Sequence, residues 1–378
     1  MIQQELPTPY FIVYEERLRR NLELITDVAR RSGAKIIMAF KANALWRTFP
    51  IVKEYVRDCT ASSVNELLLG AETLGGDIHS YTPAYTDANI DTFIRHSSHI
   101  TFNSLSQLER YGRRAANAGV SVGLRVNPRC SVIETDLYNP ALPGSRFGAG
   151  VEDIEAQGLP DYVEGLHFHA LCESGPDDLA KVLEAFEASF GHLLPRLKWV
   201  NMGGGHLMTR KDYDTDRLVE IIRDFRKRHP GIEVILEPGS AFTWQTGDLV
   251  SSVVDVVDDR GITTAILDVS FACHMPDTLE MPYQPLVAEC VDKAESDGKP
   301  YRLGGNSCLS GDFMGDYWFA RRPEVGDTVT LCDMNHYTTV KTTMFNGVHH
   351  PDMVLRRADG SCEYLRRFDY EDYKNRMS

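Results

Sequence analysis

Short apolar segments alternate with amphipathic ones through the first two-thirds of the chain. The apolar segments are rich in β-branched and aromatic residues, as buried strands are. They predict eight strands, at residues 35–40, 59–63, 79–84, 99–103, 121–127, 163–170, 199–203 and 233–238. Eight strands that alternate with helices over about 230 residues have the count and length of a (β/α)8 barrel. We therefore expect a barrel domain over residues 12–245.

The segments between these strands predict helices. Apolar residues recur at helical spacing over 18–29, 105–118 and 214–229, and Pro230-Gly231 ends the last of these patterns. A doubly wound sheet is the competing fold of the α/β class. No Gly-x-Gly-x-x-Gly pattern follows the first strand, which favours the barrel.

The pattern changes after Asp248. A β-branched run covers 249–257, and further strands are predicted near 263–270, 328–333, 338–345 and 351–357. Turn signals separate these segments, and none of them has a long helical pattern. We expect a C-terminal all-β domain over 246–378, joined by residues 1–11.

Composition limits the function classes. The chain has 378 residues, 43% hydrophobic and 25% charged, with a net charge of −14. That charge disfavours nucleic acid and anionic membranes as partners and favours cationic ligands. The eight cysteines are scattered without a Cys-x-x-Cys pair, which indicates a reducing cytoplasm and argues against a structural zinc site. We expect neither a membrane span nor a signal peptide.

Lys41 is the strongest chemical signal. It is the only charged residue between Ile36 and Trp46, at the end of the first predicted strand. A poorly hydrated amine reaches its neutral, nucleophilic form more easily, which suits a covalent bond with an aldehyde cofactor such as pyridoxal phosphate (PLP). A lysine whose ammonium group simply extends to solvent remains the alternative.

Polar groups recur at the ends of the later barrel strands, where barrel enzymes place their catalytic residues. They are Arg125, His169, Gly203-Gly204-Gly205 and Glu237. The glycines could bind phosphate through backbone N–H groups or form a flexible turn. Glu237 could hold a pyridine nitrogen or form a salt bridge at the rim. Strand alternation places His167 and His169 on one face. They could bind a metal as a pair, or one could stack on a ligand while the other is a core histidine.

Two more candidates lie in the C-terminal domain. Cys308, in a glycine-rich loop, could donate a proton or be a small buried hydrophobe. Tyr337 could bind a phosphate oxygen or belong to the core or an interface.

Together these motifs resemble the fold-type III PLP decarboxylases, relatives of alanine racemase, ornithine decarboxylase and diaminopimelate decarboxylase. Within that family the chain is most similar to the carboxynorspermidine decarboxylase subfamily of bacterial polyamine synthesis. The segments that support the resemblance are Thr8–Tyr10, Ala39–Asn43, Ala61–Glu66, Leu124–Pro128, Ser145–Gly148, Phe168–Glu173, Glu237–Gly239, Cys308–Asp312 and Phe345–Gly347.

The resemblance implies roles for individual residues. Lys41 would bind PLP covalently, His169 would stack on its ring, and Glu237 would contact the pyridine nitrogen. The remaining implied cofactor ligands are Arg125, Gly203, Gly204, Gly205 and Tyr337. Cys308 would reach the neighbouring subunit's site and return a proton, which implies a homodimer with shared active sites.

The resemblance also implies a substrate, carboxynorspermidine or carboxyspermidine. Its cationic nitrogens suit acidic and polar side chains, and the candidate contacts are Glu237, Asp268, His274, Asp277 and Asp312. Two positions depart from ornithine and diaminopimelate decarboxylases. Ser240 stands where those enzymes usually have arginine in the phosphate site. Leu309 stands where they usually have an acid for the far end of the substrate, which argues against their substrates.

Other functions remain open. An ornithine- or diaminopimelate-type decarboxylase would share the fold, and so would an amino-acid racemase, which needs a second base across from Lys41. A non-catalytic PLP carrier resembles a lone barrel, which the β-rich tail argues against. A metal-dependent barrel hydrolase would use His167 and His169.

Overall fold

The computed structural model describes residues 6–133 and 135–378. It divides into two compact units. The barrel unit is Arg19–Phe242, and the β unit comprises the residues up to Leu18 together with Thr243–Ser378. The expected domain limits, 12 and 245, therefore differ from the observed ones. Residues 1–5, which the expected second domain includes, lie outside the described residues.

Within the described residues, seventeen strands and thirteen α-helices make up the two units. The strands are β1 (Tyr10–Tyr14), β2 (Lys35–Ile36), β3 (Met38–Ala39), β4 (Cys59–Ala61), β5 (Ile78–Tyr81), β6 (His99–Phe102), β7 (Ser121–Arg125), β8 (Val163–His167), β9 (Trp199–Asn201), β10 (Glu233–Leu236), β11 (Gly247–Asp259), β12 (Ile262–Leu267), β13 (Tyr301–Gly304), β14 (Phe313–Tyr317), β15 (Thr328–Leu331), β16 (Asp352–Arg356) and β17 (Cys362–Arg366). The helices are α1 (Glu15–Ser32), α2 (Phe49–Val52), α3 (Val64–Thr73), α4 (Ile90–His96), α5 (Leu105–Asn117), α6 (Val151–Gln157), α7 (Pro176–Phe190), α8 (Thr215–Arg228), α9 (Ser240–Thr243), α10 (Phe271–His274), α11 (Asp277–Glu280), α12 (Thr338–Lys341) and α13 (Tyr370–Met377).

The barrel unit is a closed parallel barrel. Its sheet runs in the order β2-β10-β9-β8-β7-β6-β5-β4-β3. β2 and β3 are two halves of one strand on either side of Ile37, and they pair with β10 and β4 respectively. The nine segments therefore occupy eight barrel positions, at the eight places that the apolar pattern predicts. The fold class, a (β/α)8 barrel followed by a β-rich domain, is confirmed.

One large side chain fills part of the barrel interior. Trp199 of β9 packs with Ile37 and Ile235 in a buried cluster. A β-carbon on Gly123 or Gly165 would come within 2.2 Å or 2.0 Å of its ring. Only glycine fits at these two positions of β7 and β8 while the indole stays in place, so large and small side chains alternate across the core.

Side-chain caps fix the starts of several barrel helices. Ser63 accepts a hydrogen bond from the Glu66 amide at the start of α3, and Ser104 accepts one from the Gln107 amide at the start of α5. Asp214 does the same for α8. Such caps satisfy amide groups that have no partner inside the helix. They place the helix starts directly after the loops that follow the strands.

The β unit is built on one mixed sheet. Its order is β14-β13-β12-β11-β1-β16-β17, with β15 paired to β11. β1 lies antiparallel to β11, with Tyr10 opposite Val250, and parallel to β16, with Tyr14 opposite Arg356. This pairing places β1 in the β unit, which is why the barrel unit begins later than residue 12.

Two expectations for the tail are wrong. Residues 338–345 do not form a strand but α12 and the start of a 3-10 turn over Phe345–Gly347. Their threonine-rich sequence favours a strand, but the Lys341 amide bonds locally to the Tyr337 carbonyl, 3.0 Å away. The chain also ends in a helix, α13, whose N-cap residue Asp369 forms a reciprocal cap with Asp372.

Candidate active site

Lys41 follows the first barrel strand, two residues after β3. Its side chain is accessible to solvent, yet surrounding protein desolvates the amine and lowers its pKa. The nearby Arg125 guanidinium lowers that pKa further, whereas Cys172, Glu237 and Glu66 oppose the shift. Desolvation is the largest cause, so the barrel mouth favours the neutral amine that a nucleophile requires.

Glu237 follows β10, and its side chain is only 10% exposed. Its Oε1 accepts a hydrogen bond from Asn201 Nδ2 at 2.7 Å, and its Oε2 lies 3.8 Å from His167 Nε2. Burial raises the pKa of this carboxyl, while hydrogen bonds from Asn201 and Thr60 reduce the shift. A cationic group beside Glu237 would restore its ionised form.

The glycine loop after β9 packs backbone against backbone. Gly203 and Gly205 have φ of +70° and +89°, and a β-carbon on Gly205 would meet the Leu171 carbonyl oxygen at 2.3 Å. The Gly203 amide donates to Asn201 Oδ1 at 2.8 Å. Asn201 therefore bonds to the glycine loop with one side-chain atom and to Glu237 with the other.

His169 lies beside this loop, two residues after β8. The Gly204 amide donates to His169 Nδ1 at 2.9 Å, so the neutral ring must keep its proton on Nε2. Burial lowers the pKa of His169 well below its usual value, and Lys41 and Arg125 lower it further. The imidazole is thus neutral at physiological pH, in one orientation.

Arg125, the last residue of β7, is buried among protein partners. Its Nη1 donates to the Tyr81 hydroxyl at 2.6 Å and its Nη2 donates to the His169 carbonyl at 3.2 Å. The guanidinium also lies over the rings of Tyr81 and Phe147. These contacts support the segment that presents His169.

The other predicted residues belong to the β unit. Cys308 is exposed, and its amide donates to Asn346 Oδ1 at 2.8 Å. Asp312 is buried and accepts hydrogen bonds from the Ala272 amide and from the amide and hydroxyl of Ser307. These contacts of Asp312 close the glycine-rich loop that contains the thiol.

Tyr337 and the remaining polar candidates also have defined surroundings. Tyr337 has φ of +52°, unusual for an aromatic residue, and its ring packs edge-on against His336. Asp268 accepts a hydrogen bond from the Thr8 hydroxyl at 2.5 Å, and Asp277 forms an ion pair with Lys341.

His274 is fully buried, and burial lowers its pKa to about 3. Its Nδ1 accepts a hydrogen bond from the Ser270 amide at 3.1 Å. The histidine is therefore neutral at physiological pH.

The structure brings together seven of the predicted residues: Lys41, Arg125, His169, Gly203, Gly204, Gly205 and Glu237 in the barrel unit. Sequence reasoning gave no role to Tyr81, Asn201 and Glu66, which surround them. Asn201 directly precedes the Met202-Gly203 step, and Glu66 accepts from the Ser62 amide at 2.6 Å. Neither has a sequence signal that separates it from an ordinary turn or cap residue.

Two further observations concern metal binding and membrane spans among the described residues. They include no group of three or more histidine, cysteine, aspartate or glutamate side chains arranged to hold a metal ion. None of the helices in this part of the chain combines the length and apolar character needed to cross a bilayer.

Comparison with known proteins decides the family. A family model described as pyridoxal-dependent decarboxylase, C-terminal sheet domain, matches residues 11–335. The chain belongs to the pyridoxal-dependent decarboxylase family. The predicted cofactor, PLP, and the predicted enzyme class, a carboxy-lyase, are thereby confirmed. The family also favours a decarboxylase over the racemase, carrier and hydrolase alternatives.

Individual relatives of this pyridoxal-dependent decarboxylase are similar over nearly their whole length. A carboxyaminopropylagmatine decarboxylase of Synechocystis sp. is 45% identical, over 98% of this chain and 96% of the relative. A carboxynorspermidine/carboxyspermidine decarboxylase of Campylobacter jejuni is 39% identical, over 100% of each. The solved structure of carboxynorspermidine decarboxylase from Campylobacter jejuni, complexed with norspermidine, has a TM-score of 0.89 and 37% identity and covers 98% of this chain and 100% of that one. The predicted resemblance to this subfamily is confirmed.

Proposed function

We propose that this chain decarboxylates carboxynorspermidine and carboxyspermidine to norspermidine and spermidine. One observation supports it above the others. Lys41, an amine with a lowered pKa, interacts electrostatically with Glu237, a nearly buried acid, at one end of the barrel. The relatives indicate the substrate class. One is a carboxynorspermidine/carboxyspermidine decarboxylase, and one solved structure is complexed with norspermidine.

The barrel residues fit PLP. A β-carbon on Gly203, Gly204 or Gly205 would lie only 2.3–2.6 Å from a backbone oxygen of another segment. The loop therefore has no space for side chains. Its Gly203 and Gly204 amides donate to Asn201 Oδ1 and His169 Nδ1, so a phosphate bound by backbone N–H groups there would share or replace these bonds. Lys41 would bind the cofactor covalently, and His169, supported by Arg125, would stack on its ring. Glu237 would hold the ring nitrogen.

The reaction needs an electron sink, and PLP, when bound, withdraws electrons from the substrate α-carbon as carbon dioxide leaves. Glu237 would hold a proton at the ring nitrogen, because a cationic neighbour stabilises a nearly buried carboxylate. Lys41 would bond to the cofactor aldehyde through its neutral Nζ, the form that its surroundings favour. After carboxylate loss, Cys308 Sγ or Lys41 Nζ returns a proton to the α-carbon.

A homodimer with shared active sites belongs to the proposal. Cys308 is exposed, and its neighbours Leu309 and Phe345 are 45% and 51% exposed. Apolar groups this exposed around a thiol are typical of a surface that a partner covers. In that dimer Cys308 would reach the partner's site, and Tyr337 would contact phosphate. A cytoplasmic location is supported by eight cysteines without a disulfide.

Among the proposed substrate contacts, the acids differ in availability. Glu237 belongs to the cofactor site, and Asp312 accepts three hydrogen bonds, two from Ser307 of its own loop and one from the Ala272 amide of α10. Asp268, Asp277 and His274 each have an intramolecular partner that a cationic substrate would have to displace or share. Since Leu309 replaces the acid of related decarboxylases, another acidic side chain is needed to contact the distal nitrogen.

A second substrate is favoured by one observation. The Synechocystis relative, 45% identical, is a carboxyaminopropylagmatine decarboxylase. That substrate class ends in a guanidinium group rather than an amine. A carboxylate side chain binds either an ammonium or a guanidinium group, and it binds guanidinium through two parallel hydrogen bonds.

A carbon dioxide release assay tests the proposal. The panel contains carboxynorspermidine, carboxyspermidine, carboxyaminopropylagmatine, ornithine, lysine, arginine and diaminopimelate. We expect the highest kcat/KM with one of the two carboxylated triamines. Higher kcat/KM with carboxyaminopropylagmatine would move the proposal to that substrate, and preferred turnover of ornithine or diaminopimelate would refute the subfamily assignment.

A further inference from the structure

Glu173 has an unusual backbone. Its φ is +48°, in the left-handed region that residues with a β-carbon seldom adopt. Among the described residues of the barrel unit, Arg129 is the other non-glycine residue with positive φ. The Arg129 amide donates to Asn127 Oδ1 at 2.8 Å in an ordinary asparagine turn. Glycine or asparagine would suit the backbone at position 173 better, so its side chain is kept at a cost to stability, which is typical of functional sites.

Hydrogen bonds on both sides hold this strained residue in place. The Glu173 carbonyl accepts from Arg210 Nη1 at 3.0 Å. The next amide, of Ser174, donates to the Gly205 carbonyl at 2.9 Å. The backbone of the segment is therefore fixed against the glycine loop of the candidate active site.

The charge of Glu173 lies beside the site and is unpaired. Within the part of the chain that the structure describes, its exposed carboxylate has no ion pair. The nearby Arg210 donates its Nε to Asp212 at 2.6 Å and its Nη1 to the Glu173 carbonyl. Glu173 and Lys41 have opposite effects on the Cys172 thiol. Burial and the Glu173 charge raise its pKa, and Lys41 lowers it. Glu173 and Lys41 thus act on the same thiol at the barrel mouth.

We propose that Glu173 is the specificity-determining acid that binds a cationic nitrogen of the substrate's aliphatic chain. This inference rests on the proposed function and deepens it. The substrate's α-amine would take the place of the Lys41 amine on the cofactor, so the remaining nitrogens extend away from it. A carboxylate on a backbone that is hydrogen-bonded to the glycine loop, with no cation of its own, provides a charge-assisted hydrogen bond. The same chemistry would bind a terminal ammonium or a guanidinium group.

The test compares Glu173→Gln with the full-length wild type. Glutamine keeps the side-chain length and removes the charge. We expect KM for the best carboxylated polyamine to rise about tenfold with kcat within about twofold, the pattern of a lost binding contact. Isothermal titration calorimetry with norspermidine and spermidine should show a matching rise in Kd. The cofactor absorbance spectrum should stay unchanged.

Two further variants make the result specific. Glu155→Gln removes the same charge from an exposed position on α6 and should leave KM and Kd unchanged. Glu173→Asn removes the charge but suits the left-handed backbone, so it should weaken binding while its melting temperature equals or exceeds that of the wild type. It also replaces Glu173→Gln if that variant does not fold.

The outcomes separate this inference from the function beneath it. If the wild type turns over carboxylated polyamines and Glu173→Gln has wild-type KM and Kd, Glu173 does not bind a cationic nitrogen of the substrate. A loss confined to kcat, or an equal loss in Glu155→Gln, overturns it as well. If the wild type releases carbon dioxide from none of the polyamine acids, the proposed function fails, and the calorimetric comparison alone decides whether Glu173 binds polyamines.

Discussion

Asn201 connects two parts of the candidate site that the sequence presents separately. Its amide nitrogen donates to Glu237 and its amide oxygen accepts from Gly203, at 2.7 Å and 2.8 Å. One side chain therefore fixes both the acid proposed for the ring nitrogen and the loop proposed for the phosphate. We assign it as a positioning residue, because it acts through these two groups.

Replacing Asn201 with leucine or aspartate separates these two contacts. Asn201→Leu removes both hydrogen bonds and should weaken PLP binding by about tenfold or more, since the bond to the charged Glu237 alone contributes roughly 1.5–3 kcal/mol. Asn201→Asp keeps the acceptor for Gly203 but sets a carboxylate against Glu237, which should raise the pKa of Glu237 further. Cofactor titration followed by absorbance, from pH 6 to 9, measures both effects. Equal Kd values for wild type and Asn201→Leu would contradict the assignment.

Cys308 gives a second prediction at a single position. Cys308→Ala should slow carbon dioxide release by about 10²-fold or more, the usual contribution of a positioned acid, while PLP stays bound. Cys362→Ala, another exposed cysteine of the β unit, is the matched control and should retain full activity. Wild-type turnover by Cys308→Ala would remove the thiol from its proposed role.

The loops after the barrel strands, rather than the strands themselves, set the geometry of the site. Strand positions follow from hydrophobic pattern alone, because a closed parallel barrel buries both faces of each strand. Lys41, His169 and Glu237 are therefore locatable from sequence as the first polar groups beyond buried strands. The hydrogen bonds between Glu237 and Asn201, between His169 and Gly204, and between Arg125 and Tyr81 depend on which segments meet in space, and sequence spacing does not contain that information.

The glycine loop can be tested by substitution. Gly205→Ala adds a β-carbon 2.3 Å from the Leu171 carbonyl oxygen at φ of +89°. Gly158→Ala has a similar φ of +78° but meets nothing within 4 Å. The control should lose about 1–2 kcal/mol of unfolding free energy from the backbone alone. Gly205→Ala should lose about 1–3 kcal/mol more from overpacking, and should also bind PLP more weakly.

Urea unfolding and cofactor titration of both alanine variants provide the measurement. Equal losses of unfolding free energy would show that the loop has room for a β-carbon. The close packing inferred between the glycine loop and the segment at Leu171 would then be wrong.

The β unit was harder to predict than the barrel. Thr338–Lys341 has strand-like composition, but a neighbouring strand, which composition does not encode, is needed to make a strand of it. By contrast, α13 was predictable, because Asp369 and Asp372 have the spacing of a helix cap before an exposed helix. Sequence alone does not assign β1 to a domain for the same reason: only its pairing with β11 and β16 does so.

Buried histidines make the whole protein sensitive to acid. Burial lowers the pKa of His206 to about 4 and of His274 to about 3, and those of His79 and His167 also fall well below 6.5. Below pH 6.5 the unfolded chain binds protons at these groups and the folded chain does not. Stability therefore falls as pH decreases, by up to about 1.4 kcal/mol per pH unit for each histidine.

Thermal unfolding from pH 8 to pH 5 tests this prediction. We expect a nearly constant melting temperature above pH 7 and a steep decrease below 6.5. His274→Leu, which removes one buried imidazole, should make that decrease shallower. A melting temperature that is flat from pH 7 to pH 5 would contradict the assignment of these histidines as neutral.

Covalent attachment of PLP to Lys41 is the step on which the proposed function depends. Treatment of the purified holoenzyme with sodium borohydride, followed by protease digestion and mass spectrometry, locates the lysine that carries the cofactor. We predict one phosphopyridoxyl-modified peptide, with the modification on Lys41 and none in a Lys41→Ala variant. Modification of a different lysine, or of no lysine, would contradict the proposal.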